Sequence, residues 1–372
     1  MPGKEVSVAR ESSRSAQRSL KGSSQRPIVV VGTGALVRVV MRKITDDQAY
    51  HGVHVGVDAA SESLSSCALA AEIPQRATLF YVPNFDDWAA AISAGPHRRE
   101  RLLSLTEKTL EAARLAGVEH LVVVTTAMVY GAASRQPLLD DEAPLMAPDD
   151  DGLVGDALAV ERVVRHTFAQ WKALVGTDDV PDLTIMRPAA LVGPGVDTAV
   201  SRHFEAPRLL VLRNTAASWQ FAHIEDVAGA LLHSVEQSLV GPVNVGCPGT
   251  IDQVTTERLT GMRRVEVPES MAMATAEKLR QVGALPMPAT DVYYVTQSWA
   301  VSSRKLRESG WRSGYANEEC LDVLMEQTRG HHAVAGRRFK GKDVAALSAA
   351  GAAVALLGTA AVWRQARGGR RH

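Results

Sequence analysis

His120-Leu121-Val122-Val123-Val124-Thr125-Thr126-Ala127-Met128-Val129-Tyr130-Gly131 is the stretch whose reading decides the fold. Leu121–Val124 is the most strongly apolar short run in the chain. A continuous run of this kind, without apolar/polar alternation, suits a strand covered on both faces. The two threonines that follow carry hydroxyls to the end of that strand. Upstream, Ile28–Val31, Val53–Val57 and Thr78–Val82 read as further strands, and Ala35–Ile44 and Leu102–Leu115 as helices, the second stopping at Gly117. Downstream, Val164, Phe168, Trp171 and Val175 fall on one face of a helix, and Leu183–Met186 is another strand. Strand and helix in alternation predict an α/β fold, a Rossmann-like doubly wound parallel sheet. Beyond about residue 200 the alternation weakens, and a small C-terminal lobe to about residue 330 is expected against the same sheet.

The chain has 372 residues, 46% hydrophobic and 22% charged, with a formal net charge of +0. That balance is ordinary for a globular protein and gives no electrostatic ground for a nucleic-acid partner. Cys67, Cys247 and Cys320 show no paired spacing, which argues against a disulfide framework and a zinc site and points to a reducing, cytoplasmic compartment. No metal site is expected; the adjacent His331 and His332 make no ligand set. Residues 1–26 mix basic residues with seven serines and no apolar core, so they read as a disordered basic tail rather than a secretory signal.

Val31-Gly32-Thr33-Gly34-Ala35-Leu36-Val37 follows a strand and opens a helix. The first glycine of such a turn permits a tight bend, the second admits a pyrophosphate, and the helix amides bind its charge. Asp58, at the end of the second strand, suits a ribose hydroxyl pair and would repel the additional phosphate of NADP. A purely structural glycine turn is the competing reading. Val37 occupies the third glycine position, where it is expected to push the helix away from the strand.

Taken together, several segments resemble the extended short-chain dehydrogenase/reductases, the NAD-dependent epimerase/dehydratase family. Thr125-Thr126 with Val129-Tyr130-Gly131 is similar to that family's Ser/Thr pair and Val-Tyr-Gly turn. Arg187-Pro188-Ala189-Ala190-Leu191-Val192-Gly193-Pro194-Gly195 resembles its Arg-Pro…Gly-Pro-Gly segment. Phe221-Ala222-His223-Ile224-Glu225-Asp226-Val227-Ala228, Pro242-Val243-Asn244-Val245-Gly246 and Ser302–Leu306 with Gly310-Trp311-Arg312 follow in the family's order. The resemblance covers residues 28–330. It implies NAD as cofactor, with Gly32, Thr33 and Gly34 at the pyrophosphate, Asp58 at the adenosine ribose, Asn84 and Phe85 bordering adenine, and Thr125 and Pro188 beside the nicotinamide. Thr126 takes the place of the hydroxyl that polarises the substrate oxygen. His203 and Arg213 fall where relatives contact a nucleotide sugar; a solvated loop is the other reading. Tyr130 and His223 are expected to be structural.

The departures matter more. The family carries Tyr-x-x-x-Lys ahead of a helix glutamate, here Glu161, and counting back puts Leu153 and Ala157 at those two positions. No Tyr-x-x-x-Lys occurs anywhere in the chain. A tyrosine with a pKa near 10 needs a neighbouring lysine to accept a proton at neutral pH. Such acid–base help is worth roughly 10²–10⁴-fold in rate, and leucine and alanine supply none. A second departure is expected at 91–102, where the family's fourth strand has no counterpart and the sheet should open. These features imply a noncatalytic or atypical member with a regulatory or scaffolding role. An active epimerase, dehydratase or reductase with a relocated acid/base is the alternative.

Residues 331–343 read as a basic linker, and Val344–Trp363 carries no charge and is about long enough to cross a bilayer. Basic tails flank it, including residues 364–372. A hydrophobic C-terminal helix that anchors a cytoplasmic domain to a membrane is therefore expected, with an alanine-rich surface helix as the other reading. Family analogy adds a homodimer through the helix bearing Glu161.

Overall fold

The protein is described by a computed structural model, which covers residues 25–57, 64–85, 87–89, 95, 97–176, 180–281, 287–329, 331–334 and 337–340. Its centre is a parallel sheet. The first five strands are β1 (Arg26–Gly32), β2 (Tyr50–Val55), β3 (Thr78–Val82), β4 (His120–Val124) and β5 (Asp182–Pro188). Gly241–Val245 adds a sixth strand beyond β5, and the order across the sheet is Gly241–Val245, β5, β4, β3, β1, β2.

The apolar runs work on both faces, as their lack of alternation requires. Ile28 and Val30 of β1, with Val122 and Val124 of β4, enter one core cluster. Val29 and Val31, with Leu121 and Val123, enter the other. The helices Ala35–Asp46 and Ile224–Glu236 cover the first face, and Arg98–Ala116 and Leu153–Val175 cover the second. Arg42 and Lys43 of the first helix pair with Glu225 of its neighbour. Gly117 ends the Arg98–Ala116 helix in the left-handed conformation. Val164 and Phe168 are buried as their spacing requires, but Val175, at the helix end, is exposed.

Sheet order corrects one expectation. β3 pairs with β1 on one side and with β4 on the other, so the sheet does not open between them. Among the described residues the missing strand is instead at the outer edge, beyond β2. There the described residues between β2 and β3 contribute the short helix Ser66–Ala71 and no strand. The second corrected expectation concerns Val37. It is buried in the core and the helix still packs on the sheet, because the close approach is made at Gly32. Gly32 has φ 137°, and a Cβ there would collide with the Val82 carbonyl.

The C-terminal region is not separate from the sheet. Gly241–Val245 pairs with β5, while Leu209–Leu212 pairs with Arg264–Val267 outside it. Cys247 and Cys320 are free thiols whose sulfurs lie 3.6 Å apart in the core, a proximity their sequence separation hides. His331–Val334 and Arg337–Lys340 form an antiparallel hairpin where a linker was expected. No helix among the described residues is long and apolar enough to cross a membrane. The expected hydrophobic helix Val344–Trp363, both basic tails and most of residues 91–96 lie outside the described residues.

A buried ion pair ties these elements together. Arg187 on β5 donates to both oxygens of Glu161 on the Leu153–Val175 helix, Nε to Oε1 at 2.9 Å and Nη2 to Oε2 at 2.6 Å. Thr125 donates its hydroxyl to Glu161 Oε1 at 2.8 Å. Arg187 Nη1 donates to the Tyr130 hydroxyl at 2.7 Å, and that hydroxyl reaches Asn244 Oδ1 at 2.8 Å. Burial opposes the Arg187 charge, but the hydrogen bonds and charge of Glu161 outweigh it and hold its pKa above the ordinary value. Removing one partner of such a pair costs about 3–5 kcal/mol because the other charge is left buried. Glu161→Ala should therefore lower the urea unfolding free energy by about that much. The apolar double replacement Glu161→Leu/Arg187→Met should cost less than either single change.

Candidate functional site

At the C-terminal end of β1 the chain turns through Gly32, Thr33 and Gly34 into the Ala35–Asp46 helix. Gly34 has φ 113°, gives the helix no side-chain cap, and no acidic residue stands in the first turn. A helix start with neither a side-chain cap nor an acid in its first turn suits a phosphate. Asn84, at the end of β3, reaches Thr33 Oγ1 at 3.5 Å, and its own Oδ1 is buried with no partner among the described residues. Arg38 extends toward the Gly193–Gly195 turn, its Nη2 lying 2.7 Å from where a Cβ on Gly195 would stand. These residues fit the diphosphate portion of a dinucleotide. Asp58 lies outside the described residues.

Because β3 lies directly beside β1, Asn84 and Phe85 follow the strand next to the glycine turn. Phe85 lines a pocket together with Thr125, Thr126, Leu153 and Pro188. Thr125 is turned inward to Glu161, so Thr126 is the threonine left for chemistry. Thr126 caps the short 3₁₀ turn Ala127–Tyr130, and its oxygen accepts from the Met128 amide at 3.3 Å. Its proton remains free to be donated. Leu153 lies on the pocket wall where the family's tyrosine is expected. Ala157 is fully buried in a small apolar cluster with Val129 and Leu158.

The rest of the pocket comes from a segment that sequence reasoning missed. Met287, Asp291, Tyr294 and Trp299 close it from the C-terminal lobe, with Trp88 on another side. The Tyr294 hydroxyl is buried and has no hydrogen-bond partner among the described residues. The Asp291 carboxylate lies against Gly152, which precedes the Leu153–Val175 helix; a Cβ on that glycine would stand 3.1 Å from Asp291 Oδ2. Asp150 ties the segment down, accepting from the Thr290 hydroxyl at 2.6 Å and from the Gly152 amide at 3.1 Å. Burial, and then the charge of Asp150, push the Asp291 carboxyl up to about 8, with Arg98 opposing.

Behind the pocket, Arg98 and Arg99 close on the start of the same helix. Arg98 Nε donates to Asp156 Oδ2 at 2.6 Å and Arg99 Nε to Asp156 Oδ1 at 3.1 Å. Arg98 also donates to the Asp151 carbonyl and Arg99 to the Asp150 carbonyl, both at 2.8 Å. Gly155 permits the contact, since a Cβ there would collide with the Asp150 carbonyl.

The two expected substrate contacts do not line this pocket. His203 sits in the short helix Ala199–Phe204, packed between Phe204 and Trp219, and burial pushes its pKa down to about 4. It belongs to the core, not to a solvated loop. Arg213 is exposed beyond the strand Leu209–Leu212. Tyr130 and His223 are structural as expected: Tyr130 is held by Arg187, and His223 caps the helix after it and stacks on Tyr315 at 3.7 Å. No group of metal-ligating side chains occurs among the described residues.

Residues 99–246 match the family described as NAD dependent epimerase/dehydratase. An uncharacterised protein of Mycobacterium tuberculosis is 25% identical over 209 residues, which span 55% of this chain and 53% of that protein. A 3-diazoavenalumate denitrifying reductase of a Streptomyces species is 32% identical over 146 residues, 38% of this chain and 44% of that enzyme. The chain spans about half the length of the curated relatives it matches. Among solved structures, the Thermus thermophilus UDP-glucose 4-epimerase complex with NAD is similar, with TM-score 0.57 and 16% identity. The likeness covers 82% of this chain and 99% of that one. The match and the shared fold bear out the resemblance to extended short-chain dehydrogenase/reductases of the epimerase/dehydratase type.

The Asp291 carboxyl has a sign-definite consequence for stability. The folded state keeps this proton at pH values where the unfolded chain, with a value near 3.8, has lost it. Its contribution therefore falls as pH rises from about 4 through about 8 and is flat above that. Asp291→Asn, which cannot titrate, should gain Tm relative to the natural chain as pH is raised from 5 to 8, as followed by circular dichroism.

Proposed function

We propose that this chain, built on the NAD-dependent epimerase/dehydratase fold, is an atypical member that binds a nicotinamide dinucleotide and works without the family's Tyr/Lys pair. The observation that carries the proposal is the pairing of two features. The uncapped helix behind Gly32-Thr33-Gly34 is ready for a diphosphate, while Leu153 stands on the pocket wall where a proton-transferring tyrosine would be. When bound, the dinucleotide supplies hydride chemistry; the residues of this chain hold its phosphates at the turn and present the Thr126 hydroxyl beside Pro188. Several solved relatives of this fold are complexes with NAD, one of them also with UDP-glucuronic acid.

Leu153 and Ala157 alone favour a regulatory or scaffolding protein without turnover. Asp291 and Tyr294 favour the second reading, an enzyme with a relocated acid/base, because they bring titratable groups into the pocket that holds Thr126. A nucleotide sugar is the less apt second ligand, since the wall is mostly apolar. The sequence adds two further elements to the proposal. Val344–Trp363 would anchor the folded domain to a membrane, and a homodimer would form along the Leu153–Val175 helix, whose Leu174 and Val175 are exposed.

Calorimetry on the purified chain should detect NAD binding, with NADP weaker, and Asp58→Arg should reverse that order. No heat and no thermal stabilisation with either dinucleotide would defeat the proposal. On cell fractionation the full chain should sediment with membranes and a chain ending at residue 335 should not; both remaining soluble would remove the anchor.

A further inference from the structure

The pocket beside Thr126 is small, about 50 Å³, and most of its wall is apolar: Phe85, Trp88, Leu153, Met287 and Trp299. A polyhydroxylated sugar placed there would lose its water and find few partners, at a cost of several hydrogen bonds. Three polar residues on its wall, Tyr294, Asp291 and Thr126, each have a proton to give. Tyr294 carries a buried hydroxyl that bonds to nothing among the described residues, although it is 3% exposed and buried hydroxyls ordinarily find a partner. Asp291 lies one helical turn away and lines the same space. Thr126 Oγ1 already accepts a hydrogen bond from Met128 and has its proton to give.

We propose that this pocket binds a small, flat, largely apolar carbonyl compound, of the aryl ketone or aldehyde class, whose oxygen accepts hydrogen bonds from Tyr294, Asp291 and Thr126. The inference rests on the reading above, since it names the second ligand of the same site. Asp291 and Tyr294 thereby supply what Leu153 and Ala157 cannot, a proton held next to the ligand oxygen. They reach the site from the opposite wall, across the start of the Leu153–Val175 helix. Leu153 and Met287 are the side chains whose rotation admits a ring, both being flexible beyond Cβ.

The protonation state of Asp291 supports this arrangement. The charged groups facing it are Asp150 from the loop before the pocket helix, Asp156 on that helix and Arg98 from the Arg98–Ala116 helix; Tyr294 follows on its own segment. Burial and the two carboxylates outweigh Arg98, so the group is an acid, and a donor, below about 8. Above that it becomes a carboxylate and repels a carbonyl oxygen.

The test is equilibrium binding of acetophenone and of α-methylstyrene, which has the same flat shape with a methylene in place of the oxygen, to the full chain. One net hydrogen bond corresponds to about tenfold in affinity. Acetophenone should bind at least about tenfold more tightly than α-methylstyrene at pH 6.5, and that preference should shrink by pH 9.5. Tyr294→Phe should lower the preference about tenfold. Asp291→Asn, whose amide still donates, should keep the preference but lose its pH dependence, and Asp291→Leu should lose the pH dependence and lower the preference about tenfold. Equal affinity for the two probes, no binding of either, an undiminished preference in Tyr294→Phe, or a pH dependence that survives Asp291→Asn would each overturn the proposal. Dinucleotide calorimetry on the same samples separates the two readings: NAD binding with no acetophenone preference sinks this inference alone, and loss of NAD binding sinks the earlier one.

Discussion

The Glu161–Arg187 pair is the constraint on which the rest of the molecule depends. A carboxylate and a guanidinium with almost no solvent exposure are tolerable only where every donor and acceptor is satisfied. Satisfying them recruits Thr125 from the end of β4, Tyr130 from the turn after it and, through Tyr130, Asn244 from the last sheet strand. Four segments distant in sequence are held in register by one charge pair. Its placement also divides the labour of Thr125 and Thr126. The first is used up inside the network, and the second is left at the pocket.

Much of this was legible in the sequence, for a physical reason. Strands buried on both faces must be continuously apolar, so Ile28–Val31 and Leu121–Val124 announce themselves. The glycine turn follows from local geometry, and the structural roles of Tyr130 and His223 from the resemblance of their segments to the family's motifs. What a linear reading does not contain is the side of β1 on which a strand pairs. Thr78–Val82 has the same composition at the sheet edge or beside β1, and only the pairing distinguishes them.

The pocket was legible by half. Thr126, Pro188 and Leu153 could be named because the segments that carry them resemble the family's motifs. Asp291 and Tyr294 could not, since nothing in Ala289–Thr296 marks it as a partner of a strand some 165 residues earlier. The hydrogen bond from Thr290 to Asp150 fixes that segment against the helix start. His203 failed for the opposite reason: a histidine amid Val200, Phe204 and Trp219 packs as an aromatic side chain, and its polarity misled.

The arginine pair behind the pocket has a mechanical consequence. Arg98 and Arg99 grip Asp156 together with the two preceding backbone carbonyls, so the beginnings of two long helices are riveted into one block. That block is the anvil of the site. The opposing jaw, the stretch from Met287 to Trp299, is fastened to it through the Asp150 carboxylate and to the turn after β4 by the Ala133–Ser298 pairing. A guest too wide for the rotation of Leu153 and Met287 to admit would then wait on those fastenings to loosen.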